Sequence, residues 1–256
     1  MQQLIFGADY YALRRFPTDK SVSYNDVVNR VYSALYELNL ECDILYDREP
    51  DWSPYRLLIF PQFYCCPDST IARVRAFAAE GGTVLATFRS FFADENLQIR
   101  HDRQPHGLTD VFGMHYSRFT KDAAHDWMEL LIPDAAETIA GYGNKYWKRY
   151  ASITRNAFGK GTAWYLGVMP ESDTLKSCLL GACADAGITA PAEVWPVVRR
   201  GAVSADGNAL CFLMNYSSEQ KTIPCPVSGL DLLTGMRYEA GAELALPDWG
   251  AVILRT

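Results

Sequence analysis

The sequence predicts an α/β domain built on a parallel sheet over residues 1–191, followed by a small all-β sandwich domain over 192–256. Three observations predict it. Helical and strand patterns alternate with short connections up to about residue 187, which favours a parallel sheet. Tyr55-Arg56-Leu57-Leu58-Ile59-Phe60-Pro61 is an apolar run of the kind buried on both faces of such a sheet. After Thr189-Ala190-Pro191 the texture changes to short alternating runs parted by turns such as Asp206-Gly207-Asn208 and Ser228-Gly229.

Leu4-Ile5-Phe6 opens the first strand, followed by the aromatic-rich Asp9-Tyr10-Tyr11-Ala12-Leu13. Val27, Val28, Val31, Leu35 and Leu38 recur at helical spacing and predict a helix over 24–38, closed by Asn39. Cys42-Asp43-Ile44-Leu45 begins the next strand. A second helix over 69–79 carries Ile71, Val74, Phe77 and Ala78 on one stripe and stops at Gly81-Gly82, where glycine accepts a left-handed backbone. Thr83-Val84-Leu85-Ala86-Thr87 then forms a strand, and Phe88-Arg89-Ser90 the turn after it. Residues 91–122 read as a long polar insertion with a short helix near Leu108–Phe112. Ser152–Phe158 and Thr162–Val168 read as a hairpin about Gly159-Lys160-Gly161, and Thr174–Ala186 as the last helix. Strands are expected at 197–200, 209–215, 221–223 and 251–254.

Composition narrows the function. The chain has 256 residues, 49% of them apolar and 13% aromatic, enough for a packed core. A formal charge of −6 without a long Lys/Arg run argues against nucleic acid or an anionic membrane as partner. No apolar run approaches the roughly 20 residues of a membrane span. Leu4-Ile5-Phe6 is too short for a signal-peptide core, and Asp9 interrupts it. Seven cysteines without regular spacing fit a reducing cytoplasm better than a disulfide framework.

Gly159 to Leu166 followed by Gly167-Val168-Met169-Pro170-Glu171 resembles the strand and His-Pro-Glu end of class I glutamine amidotransferases. That resemblance implies a flavodoxin-like, amidotransferase-like sheet whose triad positions are vacated. Met169 stands where the family has its base, and Phe88 is the nearest match to its cysteine nucleophile. Methionine has no titratable nitrogen to take a proton from a thiol, so amidotransferase chemistry is rejected.

A second resemblance spans nearly the whole chain. Tyr55–Pro61 through Gly81–Leu85, then Asp94-Glu95-Asn96 with Gly107-Leu108-Thr109-Asp110-Val111-Phe112-Gly113, and finally Asp231-Leu232-Leu233-Thr234-Gly235 fall in register. Together with Asp9–Leu13 they resemble the region after the catalytic barrel in family 42 glycoside hydrolases, the bacterial β-galactosidases. The resemblance implies a trimerisation domain and a C-terminal β domain. The family's acid and nucleophile lie on a (β/α)₈ barrel of about 250 residues, which this chain does not have room for. It therefore implies a homotrimer in the full enzyme, with a β-galactoside as substrate only through the missing barrel.

Candidate sites were weighed on that basis. Asp94 and Glu95 are adjacent on a loop and need not converge as a glycosidase pair does. His101, His106, His115 and His125 lack metal-ligand spacing, so no metal and no cofactor is expected. Cys65-Cys66 reads as two small side chains at a strand end, with no base nearby. The aromatics Tyr10, Tyr11, Phe16, Phe91, Phe92, Tyr142, Tyr146, Trp147 and Tyr150 cluster in loops and turn-flanked segments. With Asp94, Glu95 and Asn96, the side chains of Phe91, Phe92, Tyr146 and Trp147 are the interface candidates. No catalytic residue is assigned. The competing readings are a stand-alone small-ligand or sugar-binding protein of degenerate amidotransferase-like fold, and an enzyme with an unfamiliar site at Gln62-Phe63-Tyr64 and Phe88-Arg89-Ser90, beyond the strand ends.

Overall fold

The computed structural model describes residues 2–6 (backbone only), 23–46, 51–121, 127–193 and 195–256. The expectations for Asp9 to Leu13, Phe16 and His125 lie outside the described residues. Two compact units are present, residues 1–34 with 42–189 and residues 35–41 with 190–256.

The first unit opens with β1 (Gln2–Phe6), α1 (Tyr24–Glu37), β2 (Cys42–Tyr46), β3 (Leu57–Phe60), α2 (Asp68–Glu80) and β4 (Thr83–Thr87). Four two-residue strands follow: β5 (Met114–His115), β6 (Phe119–Thr120), β7 (Met128–Glu129) and β8 (Ile132–Pro133). The unit closes with β9 (Glu137–Gly141), β10 (Ala151–Phe158), β11 (Gly161–Leu166) and α3 (Ser172–Asp185). The seven-stranded sheet runs β2-β1-β3-β4-β11-β10-β9. Its first five strands are parallel, whereas β10 pairs antiparallel with both β11 and β9. The sheet is thus mixed where a parallel one was expected. A two-residue connection at Gly159-Lys160 leaves no room for a crossover, so β10 and β11 must be antiparallel. Leu108–Phe112 forms a run of turns in place of the expected short helix.

Local chemistry explains the helices. The Ser23 backbone N–H donates to Asp26 Oδ2 at 2.6 Å and the Asp26 N–H returns a bond to Ser23 Oγ at 3.3 Å, a capping box that starts α1. Asn39, at φ 57°, closes it. Ile71, Val74 and Ala78 of α2 are buried against Leu58, Phe60, Val84 and Ala86 of the sheet, and Phe77 packs half-buried at the edge of that cluster. Leu57 to Phe60 are solvent-free on both faces, as a central strand requires. At Gly161 a Cβ would sit 2.1 Å from the Gly82 carbonyl oxygen, so β11 approaches the end of α2 as only glycine permits.

The second unit has β12 (Val197–Val203), β13 (Ala209–Asn215), β14 (Lys221–Pro224), β15 (Gly229–Asp231), β16 (Arg237–Tyr238), β17 (Glu243–Leu246) and β18 (Ala251–Arg255). A five-stranded sheet, β12-β13-β18-β15-β16, and a β14-β17 ribbon share one core of Val197, Leu213, Leu244, Leu246, Val252 and Leu254. The alternation along β13, β17 and β18 turns one face inward. Asp231 secures the chain end: its carboxylate accepts from Thr234 Oγ1 at 2.5 Å, Ile253 N–H at 3.1 Å and Leu233 N–H at 3.2 Å. Burial opposes its charge, but these donors win and hold the carboxyl below the usual aspartate range. Asn39 works likewise in this unit, donating to the Glu193 and Val197 carbonyls at 2.9 Å and accepting from Arg199 N–H. No helix among the described residues is long and apolar enough to cross a membrane.

Candidate functional site

The ends of β3 and β4 lie side by side, and the chain leaves both through left-handed residues: Gln62 (φ 47°), Arg89 (φ 60°) and Phe91 (φ 62°). Such backbone persists in non-glycine residues only where surrounding bonds fix it. Here Gln62 N–H donates to Thr87 Oγ1 at 2.7 Å, Phe63 N–H to Ser90 Oγ at 3.0 Å, and Phe91 N–H to the Phe63 carbonyl at 2.7 Å. The two turns are stitched into one rigid shelf.

Beneath that shelf lies a buried carboxylate. β7 is drawn there by the Met128–Val168 bridge and by Glu129 N–H donating to the Gly167 carbonyl at 2.8 Å. Glu129 Oε1 accepts from the Arg89 N–H at 2.7 Å and Trp127 Nε1 at 3.1 Å, while Oε2 accepts from the Tyr165 hydroxyl at 2.9 Å. The Tyr116 hydroxyl, also buried, stabilises the charge from beside the pair without meeting hydrogen-bond geometry. Tyr142 donates to the Glu129 carbonyl at 2.8 Å. Burial pushes the Glu129 carboxyl up to about 7 against the donors that favour its ionised form. Burial lowers the Arg89 pKa too, although the Glu129 charge supports its cation. The guanidinium lies 5.0 Å from the Tyr64 ring centre and 4.7 Å from that of Trp127. Phe92 stacks on Tyr64, and Phe119 on Trp127 at 4.1 Å, which roofs the cation with aromatic rings.

Chemically this is a sealed polar knot. Glu129 is 0% exposed and each of its carboxylate oxygens already has a donor, so no substrate oxygen can reach it. Phe88 and Met169 flank the same place. Phe88 follows β4 and Met169 follows β11, strands paired in register from Thr83↔Thr162 to Thr87↔Leu166. Phe88 is buried and Met169 half-buried.

The other expected residues divide. Phe91 is wholly buried among Phe60, Phe63 and Phe112, which corrects its place among the interface candidates: its left-handed backbone turns the ring into the core. Phe92 reaches the half-buried aromatic roof. Asp94 is occupied by its own loop, with Oδ1 accepting from Asn96 N–H at 2.9 Å and Gln98 N–H at 2.8 Å. That fold of the loop presents Glu95, Asn96, Leu97 and Ile99 to solvent. Tyr146 is exposed, and Trp147 is half-buried against Tyr150. His106 pairs with Asp102 at 2.7 Å and His115 with Asp134 at 2.8 Å, and among the described residues no three His, Cys, Asp or Glu side chains are grouped to hold a metal. Cys65 and Cys66 are buried. Glu129 was missed in the sequence, although its signal was there: one carboxylate inside the apolar run Trp127-Met128-Glu129-Leu130-Leu131-Ile132 must be exposed, paired or hydrogen-bonded.

Comparison with known proteins fits this arrangement. The sequence profile of the β-galactosidase trimerisation domain matches residues 8–189, and that of the β-galactosidase C-terminal domain matches 197–256. The chain is 28% identical over 258 residues to the β-galactosidase BgaA of Planococcus sp. (strain 'SOS Orange'), covering 91% of this chain and 37% of that protein. It is 24% identical to the β-galactosidase BgaB of Geobacillus sp. (strain Y412MC61), again covering 91% of this chain and 37% of the relative. The crystal structure of a β-galactosidase from Bacillus circulans sp. alkalophilus superposes with a TM-score of 0.88 at 25% identity, over 99% of this chain and 41% of the other. The chain thus spans little more than a third of the curated relatives it matches. It belongs to the family 42 β-galactosidases, of which it carries the trimerisation and C-terminal domains.

Proposed function

We propose that this chain is the self-association and accessory region of a β-galactosidase, trimeric in the full enzyme, and that it holds no hydrolytic site of its own. One observation carries the reading: the trimerisation-domain match over 8–189 coincides with a strand-end locus whose buried carboxylate, Glu129, is consumed by internal donors. A β-galactoside would be processed only by a barrel outside these residues. The strand order β2-β1-β3-β4-β11 supports reading the scaffold as flavodoxin-like and amidotransferase-like, with Phe88 and Met169 in the vacated positions. Exposed Leu97, Ile99, Phe119 and Tyr146 support coverage by another copy, with Glu95 and Asn96 on the same loop as Leu97, Phe92 against Phe119, and Trp147 next to Tyr146 in the chain. Seven free cysteines support a reducing cytoplasm, and the charge of −6 argues against nucleic acid or an anionic membrane as partner.

Incubation of the purified chain with a chromogenic β-galactoside tests the absence of a site. The expected result is no turnover above background, because an incomplete site forfeits most of a very large barrier reduction. Turnover abolished by a single Glu or Asp substitution in this chain would contradict it.

A further inference from the structure

The second unit contains a cavity of about 520 Å³ that the assembly reading does not use, within the roughly 300–1,000 Å³ of small-molecule sites. Glu193, Trp195, Arg199, Lys221, Ile223 and Cys225 are among its lining residues. We propose that it binds a neutral, polyhydroxylated ring, a sugar residue in chemical class, with the ring's apolar face on Trp195 and its hydroxyls on the Glu193–Arg199 pair.

Trp195 is held and yet available. It stacks on Tyr216 with ring centres 5.7 Å apart and planes 17° apart, meets the Tyr36 ring edge-on at 6.3 Å, and remains 43% exposed. A rigid, half-open indole in a cavity wall suits a ring that is apolar on one face and hydroxylated at its rim. The polar side is Glu193, whose side chain is only 7% exposed. Its Oε1 lies 3.3 Å from Arg199 Nη1, while Oε2 is buried with no hydrogen-bond partner among the described residues. A carboxylate beside a guanidinium in a cavity wall offers an acceptor and a donor side by side. Hydroxyl groups suit the pair because each can donate to the carboxylate and accept from the guanidinium.

Charge selects against the alternatives. Glu193 is offset by Arg199, and Lys221 pairs with Glu219 at 2.8 Å outside the wall, so no lining charge is left without a counter-charge to attract an anion or a cation. The inference does not depend on the assembly reading, since binding and molecular mass are separate readouts.

Saturation-transfer NMR on the full chain with methyl β-galactopyranoside, lactose, cellobiose and glycine tests it. The expected result is saturable binding of at least one sugar, weakened about tenfold or more by Trp195→Ala and by Glu193→Gln. Glu193→Gln preserves shape, so it decides the matter if Trp195→Ala perturbs folding. Absence of saturable sugar binding, sugar binding that neither variant weakens, or binding of glycine alone would each overturn the proposal.

Discussion

Replacing Glu129 by alanine is expected to cost the α/β unit about 3–5 kcal/mol, the range for removing one partner from a buried charged network. Three donors lose their acceptor together: the Arg89 N–H, Trp127 Nε1 and the Tyr165 hydroxyl. The Tyr165 hydroxyl is offered no water in exchange, because Glu129 and Tyr165 are solvent-free. The left-handed turn at Arg89 also loses the bond that fixes it. Urea unfolding followed by tryptophan fluorescence would read the loss, with Glu95→Ala, on the exposed loop, expected to stay within about 0.5 kcal/mol. A Glu129→Ala midpoint equal to that control would mean the knot contributes nothing.

The same group sets a pH dependence whose sign follows from its raised pKa. Burial lifts the Glu129 carboxyl from 4.5 to about 7, so between those values the folded chain keeps a proton that the unfolded chain releases. The part of its contribution that is linked to this proton is therefore complete below about pH 4.5, declines as pH rises, and is gone above about pH 7, a change of ~3 kcal/mol. Glu129→Gln cannot titrate, and its stability curve should lack this decline.

The second large effect is expected at Gly161. An alanine Cβ there meets the Gly82 carbonyl oxygen at 2.1 Å and the Ala78 carbonyl oxygen at 2.5 Å. Both are backbone atoms at the end of α2, so nothing flexible can yield. The β11 strand would have to withdraw from β4, with a cost of about 3 kcal/mol or more, at the top of the range for overpacking. Gly143→Ala, where a Cβ meets nothing within 4 Å, is the control and should shift stability by no more than about 0.5 kcal/mol. Thermal unfolding by circular dichroism distinguishes the two, and equal midpoints would refute the close approach.

What the sequence reveals and what it hides divide along a physical line. The first two helices are legible because each pairs an apolar periodicity with a local stop, the left-handed Asn39 and Gly81, and the third from its stop at Gly187. The β10–β11 hairpin is legible from its glycine turn, and it makes that edge of the sheet antiparallel. In the second unit, period-two alternation exposes β13 and β18, whereas the three-residue β15 and two-residue β16 are too short to show a period. The adjacent phenylalanines 91 and 92 look alike as residue types. Only a backbone angle, φ 62° at Phe91, decides which ring enters the core. Glu129 is the largest omission at the site, because its partners Arg89, Tyr116 and Tyr165 come from distant parts of the chain and meet only in the folded unit. The cavity beside Trp195 is hidden for the same reason: its walls come from the segment around Glu193 and from β12 and β14, which no local pattern relates.

Self-association in the full enzyme is the central claim, and light scattering on the barrel-containing enzyme with residues 91–100 replaced by a short Gly-Ser linker tests it most directly. A patch that closes under three-fold rotation and buries about 800 Å² per partner or more should be lost with that stretch, so the trimer is expected to dissociate. An unaltered trimer would contradict the account.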